Sequence, residues 1–357
     1  MKIAILHDYF NKKGGGERLV LNLAKALGAD IYTGFIDYKK TFSTKGLKVK
    51  SLGVKSRFPI ILRNYLIAKK FEKHNFPKYD AFIISGVWCI SASKNKPCIM
   101  YCHTPARFLY DLRDYFLQRS NFFQRLFLKK FTDYWIIKDQ FYMHQFDTIC
   151  PNSENVKKRI LKYYGKELYN RCRVVYTGIE TEKFYSRNSE DFYLSTARLD
   201  PLKRIDLLIS VFKKMPNRRL FLTGTGPEKR RLQSMAKGSN NISFLGNVNE
   251  KELLGLYAKC RAVIVAAKDE DLGLSAIEAQ AAGKPVIAVR EGGFMETVIG
   301  NKTGIFFTPN IDSLEKAIKK FEKMRWNHRL IKKNAKRFDI KVFVKRMKEI
   351  LRETIEG

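Results

Sequence analysis

Acidic residues are scarce in this chain. Against 68 Lys and Arg there are 35 Asp and Glu, a formal net charge of +33, which asks for a polyanionic partner or surface. Long apolar runs are missing as well: the best candidate, residues 81–93, falls short of the roughly 18 residues of a membrane span and is interrupted by Ser85, Gly86 and Ser91. No signal peptide precedes Lys2-Ile-Ala-Ile-Leu6, which reads at once as a strand, so a cytoplasmic location is expected. Cys89, Cys98, Cys102, Cys150, Cys172 and Cys260 form no C-x2-C pair and have no matched histidines. Neither a zinc site nor a disulfide framework is indicated, and all six are expected to be reduced packing residues. There is no internal repeat and no low-complexity segment.

What is present suits two globular domains: 357 residues, of which 45% are apolar. Strand and helix patterns alternate throughout, which predicts an α/β protein with parallel sheets covered by helices. Strands are expected at 2–6, 30–33, 81–85, 99–101 and 148–150 in the first half. In the second half they are expected at 193–196, 219–223, 242–245, 262–267 and 286–289, with a break near Tyr176-Thr-Gly-Ile-Glu180. The expected division is 1–176 and 177–335, each the size of a Rossmann-like domain, followed by a tail helix in 336–357.

The stretch Glu270-Asp-Leu-Gly-Leu-Ser-Ala-Ile-Glu278 carries the strongest chemical signal. Residues 262–267 read as a buried strand, 268–273 as a loop and 275–282 as a helix stopped by Gly283. Ligands of open α/β sheets lie at the carboxyl ends of strands, so both carboxylates can face one pocket, with Gly273 leaving room beside bare backbone. Paired carboxylates accept hydrogen bonds from the adjacent hydroxyls of a polyol. Taken alone, such a pair is weak evidence, since most Glu pairs at this separation are a solvated loop charge and a helix-surface residue.

Basic residues are placed to meet a leaving phosphate. Arg198 leaves the strand at 193–197, and Pro201 and Lys203 open an expected helix over 204–212, so guanidinium, ammonium and helix start can converge on a diphosphate. Gly14-Gly15-Gly16-Glu17 follows the first strand and opens a helix over 19–27, where glycines permit positive φ and close ligand approach. The same glycines would serve a plain tight turn. His103 lies just past the strand at 99–101, in Tyr101-Cys-His103-Thr-Pro105-Ala-Arg107-Phe-Leu-Tyr-Asp111; a lone histidine there is more often a packed residue than a catalytic one. Gly224-Thr-Gly226-Pro lacks the third glycine of a dinucleotide fingerprint, which speaks against an oxidoreductase. Two segments, Arg57 to Lys73 and Arg119 to Phe131, mix apolar and basic residues as interfacial helices do; ordinary surface helices would show the same mixture.

The pattern from Glu270 through Glu278 to Ala-Gln-Ala-Ala-Gly283-Lys-Pro-Val-Ile-Ala288 resembles the E-x7-E signature of retaining glycosyltransferase family 4. Ala197-Arg-Leu-Asp-Pro-Leu-Lys203-Arg204 is similar to that family's G-R-L-x-x-x-K-G element, with Ala197 and Arg204 in place of its glycines. Gly14 to Glu17 resembles its G-G-x-E loop, and the His103 segment resembles the Y-x-H-T-P-x-R-x-x-x-D of bacterial mannosyltransferases that build polysaccharide and O-antigen. The resemblance implies a GT-B fold: an acceptor-binding N-terminal domain and a nucleotide-sugar-binding C-terminal domain facing a central cleft, with the last helix packing back on the first. It also implies retaining hexosyl transfer without metal or cofactor, mannose from GDP-mannose being favoured and a UDP-hexose donor the alternative. In that scheme Arg198 and Lys203 stabilise the departing diphosphate, Glu270 holds the sugar and Glu278 the ribose. Gly273 and Leu274 line the site, Gly15 and Gly16 contact the diphosphate, and His103 touches the donor sugar; Arg107 and Asp111 shape the acceptor side. The acceptor would be a glycan or a polyprenyl-diphosphate-linked glycan on the anionic inner face of the cell membrane. A basic nucleic-acid-binding protein is the alternative of a different class, and no recognisable binding module of that kind is found.

Overall fold

The computed structural model describes residues 1–356. These fall into two units, Met1–Thr177 together with the chain from Phe343 onward, and Gly178–Val342.

The first unit holds a parallel sheet of six strands: β1 (Ile3–His7), β2 (Asp30–Thr33), β3 (Val49–Ser51), β4 (Ala81–Ser85), β5 (Cys98–Cys102) and β6 (Thr148–Pro151). Its order is β3-β2-β1-β4-β5-β6. Every residue of β1, β4 and β5 is buried, which is why these strands read as near-continuous apolar runs, with polar residues only at the closing His7 of β1 and Ser85 of β4. Its helices are α1 (Gly15–Leu27), α2 (Ile60–Lys73), α3 (Arg113–Gln118), α4 (Phe122–Met143) and α5 (Glu154–Asn170), the last interrupted at Gly165. Local chemistry sets their ends. Gly28 takes the left-handed conformation after α1, Asn121 and Gln124 form a capping box on α4, and the Ser153 side chain caps α5.

The second unit repeats the plan with β7 (Phe192–Thr196), β8 (Arg219–Thr223), β9 (Ile242–Gly246), β10 (Ala262–Val265), β11 (Val286–Val289) and β12 (Gly304–Phe307), in the order β12-β11-β10-β7-β8-β9. Its helices are α6 (Ile205–Lys214), α7 (Lys229–Met235), α8 (Glu250–Lys259), α9 (Leu274–Ala281), α10 (Phe294–Thr297), α11 (Ile311–Lys323) and α12 (His328–Ala335). Counted within its own unit, each sheet runs 3-2-1-4-5-6, the doubly wound order. The chain reverses direction across each sheet between the first and fourth strands, which opens a crevice at their carboxyl ends: β1 and β4 in one unit, β7 and β10 in the other.

The final helix, α13 (Ile340–Glu356), begins after a short 3-10 turn at Lys336–Phe338, so the tail is not helical continuously from Phe338 as its apolar spacing predicts. Asp339 ends that turn by accepting from the Thr181 hydroxyl. Further along α13, Phe343, Met347, Ile350 and Leu351 are buried, the Phe343 ring meets Tyr101 edge-on at 5.3 Å, and Arg173 pairs with Glu353 at 2.5 Å. All six cysteines are buried thiols. Among the described residues no helix is long and apolar enough to cross a membrane.

Candidate functional site

In the second unit three loops meet at the carboxyl ends of β7, β10 and β11. The first, after β7, differs from its expected form. Pro201–Lys203 make a separate 3-10 turn whose start is capped by Asp200 accepting from the Leu202 N–H at 3.1 Å; Arg204 then turns left-handed (φ 49°), and only at Ile205 does α6 begin. Lys203 is therefore outside the helix. Its ammonium instead reaches across to Glu270, Nζ to Oε2 2.5 Å, with both side chains half-buried. Arg198 is exposed, just beyond the end of β7.

The second loop, after β10, carries Glu270. Asp269 before it is also left-handed (φ 46°), and Gly273 after it (φ 87°) leads directly into α9, one residue earlier than its pattern predicts. A side chain at Gly273 would run into the Phe294 ring, about 2.5 Å away, so glycine is required there on two counts. α9 ends in a Schellman turn: Gly283 donates to the Gln280 carbonyl and Lys284 to that of Ala279.

Glu278 lies in the second turn of α9, half-buried, and accepts at 2.6 Å from the hydroxyl of Tyr257. That hydroxyl also meets Thr196 Oγ1 at 2.7 Å, at the end of β7. Tyr257 is fully buried, and burial together with the nearby Glu278 pushes its phenol well above the ordinary value, so it stays a donor.

The third loop, after β11, braces the second. Gly293 N–H donates to the Glu270 carbonyl at 2.8 Å, and a Cβ on Gly292 (φ 56°) would meet the Glu270 backbone at 2.5 Å. The structure thus brings Lys203, Glu270, Gly273, Leu274 and Glu278 to one edge of one sheet. Hydroxyl-accepting carboxylates, an ammonium and the N-terminal end of α9 stand together there, which suits a polyol bearing a phosphate.

In the first unit the glycine segment also differs from its expected form. α1 starts at Gly15, capped by Gly14, so Gly15 and Gly16 are helical and use no positive φ. Close approach explains one of the glycines: a Cβ on Gly14 would collide with the buried Glu17 carboxylate, whereas one on Gly16 would make only an ordinary contact with the His103 ring, at 3.7 Å. His103 Nε2 lies 2.9 Å from the hydroxyl of Ser85, at the end of β4. Burial, helped by His7, lowers the His103 pKa to about 4, so its ring is neutral near pH 7. Arg107 and Asp111 are bonded to each other, 2.6 Å from Nη2 to Oδ2.

The motifs pointed to none of Tyr257, Thr196, Ser85 or Glu291. A signal existed for two of them: Tyr257 falls on the buried face of α8, where a phenol needs a partner, and Glu291 stands two residues past the end of β11, in the loop at its carboxyl end.

Residues 13–183 match the family described as Glycosyltransferase Family 4, and residues 179–338 the one described as Glycosyl transferases group 1. The chain is 27% identical over 432 aligned positions to the alpha-1,3/1,6-mannosyltransferase ALG2 of Dictyostelium discoideum, covering 99% of this chain and 98% of that one. Among solved structures it is similar to sucrose-phosphate synthase of Thermosynechococcus elongatus, with a TM-score of 0.78 at 19% identity over 99% of both chains. It also resembles Anabaena HepE in complex with UDP and glucose, with a TM-score of 0.72 at 18% identity over 98% of this chain and 99% of that one. These structural likenesses establish the fold. The chain belongs to the GT-B glycosyltransferases that join a family 4 domain to a group 1 domain.

Proposed function

We propose that this enzyme transfers mannose from GDP-mannose, with retention and without a metal ion, to a lipid-linked glycan at the anionic inner face of the cell membrane. The observation that carries the donor assignment is the Lys203–Glu270 contact beside the start of α9, with Glu278 held in place by Tyr257. In this scheme Arg198 and Lys203 stabilise charge on the departing diphosphate. Glu270 then holds the sugar and Glu278 the ribose, with Gly273 and Leu274 as backbone beside them. The acceptor oxygen bonds the anomeric carbon on the face from which the diphosphate leaves, and the acceptor's proton passes to that diphosphate. Mannose is supported by full-length similarity to a mannosyltransferase. Membership of this family sets the nucleic-acid-binding alternative aside, so the +33 charge needs another partner.

A membrane is supported by α3 and α4. From Asp111 to Phe131 no residue is buried; Phe122 and Phe123 are 75% and 81% exposed, and Leu126 and Phe127 stand out beside them. Arg119, Arg125, Lys129 and Lys130 flank these side chains, the arrangement of an interfacial helix at an anionic surface.

The test of the donor is thermal stability against GDP-mannose, GDP, UDP-glucose, UDP-N-acetylglucosamine and UDP. A ligand at 100 times its dissociation constant adds about 2.7 kcal/mol. A shift confined to the guanine pair supports mannose transfer; one confined to uridine ligands replaces mannose by a UDP-hexose. No shift with any of them refutes the donor site.

A further inference from the structure

Three residues other than glycine have positive φ among the described residues, and two of them stand in this site: Arg204 and Asp269. Left-handed backbone is strained for an L-residue with a side chain, and persists where the surroundings hold it. Here one carboxylate holds both. Glu291 Oε2 accepts from Arg204 Nη1 at 2.9 Å and from the Asp269 backbone N–H at 3.4 Å. Arg204 Nη1 also reaches the Ala266 carbonyl, 3.3 Å away at the end of β10. The Arg204–Glu291 pair is half-buried, so water screens it only in part.

The geometry points to Glu291 as a positioning residue for the transfer, acting through Arg204 and Asp269. Lys203 immediately precedes Arg204, and Glu270 immediately follows Asp269. A single carboxylate thus ties together the backbone neighbours of the two side chains that meet at 2.5 Å. The third loop completes the frame by donating from Gly293 to the Glu270 carbonyl. Glycine would adopt the conformation of residue 204 without support, whereas arginine there needs its partner. Glu291 and Arg204 therefore act as a unit.

This inference rests on Lys203 and Glu270 carrying the transfer, and the experiment separates the two claims. Turnover of GDP-mannose is measured for wild type, Lys203→Ala, Glu270→Ala, Glu291→Gln, Arg204→Gly and the double variant Arg204→Gly/Glu291→Gln, with the melting temperature of each. The expected result is that Glu291→Gln lowers kcat by about tenfold or more, well beyond its effect on KM. In the Arg204→Gly background the same change should cost little, an interaction of the size found between residues in contact. Glu291→Asp should recover part of the rate. Equal losses in both backgrounds, or a lowered melting temperature with kcat intact, would overturn the positioning role while leaving the site in place. Full activity in Lys203→Ala and Glu270→Ala would overturn the site and the positioning role with it.

Discussion

The phenol of Tyr257 is 2.6 Å from the carboxylate of Glu278 and 2.7 Å from the hydroxyl of Thr196, so a fully buried residue of α8 aims a carboxylate of α9 from the end of β7. Removing the phenol oxygen leaves Glu278 without that donor. Tyr257→Phe is expected to weaken nucleotide binding by about tenfold, the worth of one hydrogen bond to a charged group. Titration calorimetry with the nucleoside diphosphate checks this, and unchanged affinity would show that the phenol serves only packing.

Glu278 and Glu270 should separate kinetically. A ribose contact exists in ground and transition states alike, so Glu278→Gln should raise KM and spare kcat, whereas Glu270→Ala should lower kcat as well. Steady-state rates at saturating and limiting donor decide between them. Identical effects from the two changes would count against their separate roles.

Two groups of the first unit titrate in opposite senses in mild acid. His103 falls from 6.5 unfolded to about 4 folded, so between those values the unfolded chain binds more protons and stability is lost as the pH drops. Burial raises Asp139, bonded to the hydroxyls of Tyr110 and Tyr164, from 3.8 to about 6; here the folded chain binds more protons, and stability is lost as the pH rises through the window. The wild-type slope is therefore the difference of two trends. Urea midpoints from pH 4 to 7 should rise more steeply with pH in Asp139→Asn than in wild type, and should fall with pH in His103→Gln relative to wild type. Parallel curves for all three proteins would refute both assignments.

The exposed tip of α4 should govern membrane affinity without governing stability. Phe122→Ser with Phe123→Ser is expected to weaken binding to vesicles containing phosphatidylserine by at least about tenfold, given the worth of burying a phenylalanine. Because neither ring is buried in the folded chain, the melting temperature should hold. Lys129→Glu with Lys130→Glu should chiefly reduce the salt-sensitive part of the binding. Vesicle sedimentation that cannot distinguish these variants from wild type would remove the membrane from the proposal.

The strands of the sheet interiors were legible because fully buried segments such as Ala81–Ser85, apolar up to its closing serine, and Val286–Val289 must be largely apolar. β3 and β12 were not. Both are edge strands; β3 has two exposed residues of three, and β12, though three of its four residues are buried, opens on a glycine and offers only a three-residue apolar run. The loop-and-helix context of Glu270 and Glu278 was legible for a similar reason: a glycine stop, a buried strand and a left-handed turn each demand particular residue types within a few positions. Tertiary structure alone decided which side chains meet. Lys203 sits 67 positions from Glu270, Arg204 87 from Glu291 and Tyr257 21 from Glu278. Local propensity is blind at such separations, and only the order of strands in the sheet sets those loop ends side by side.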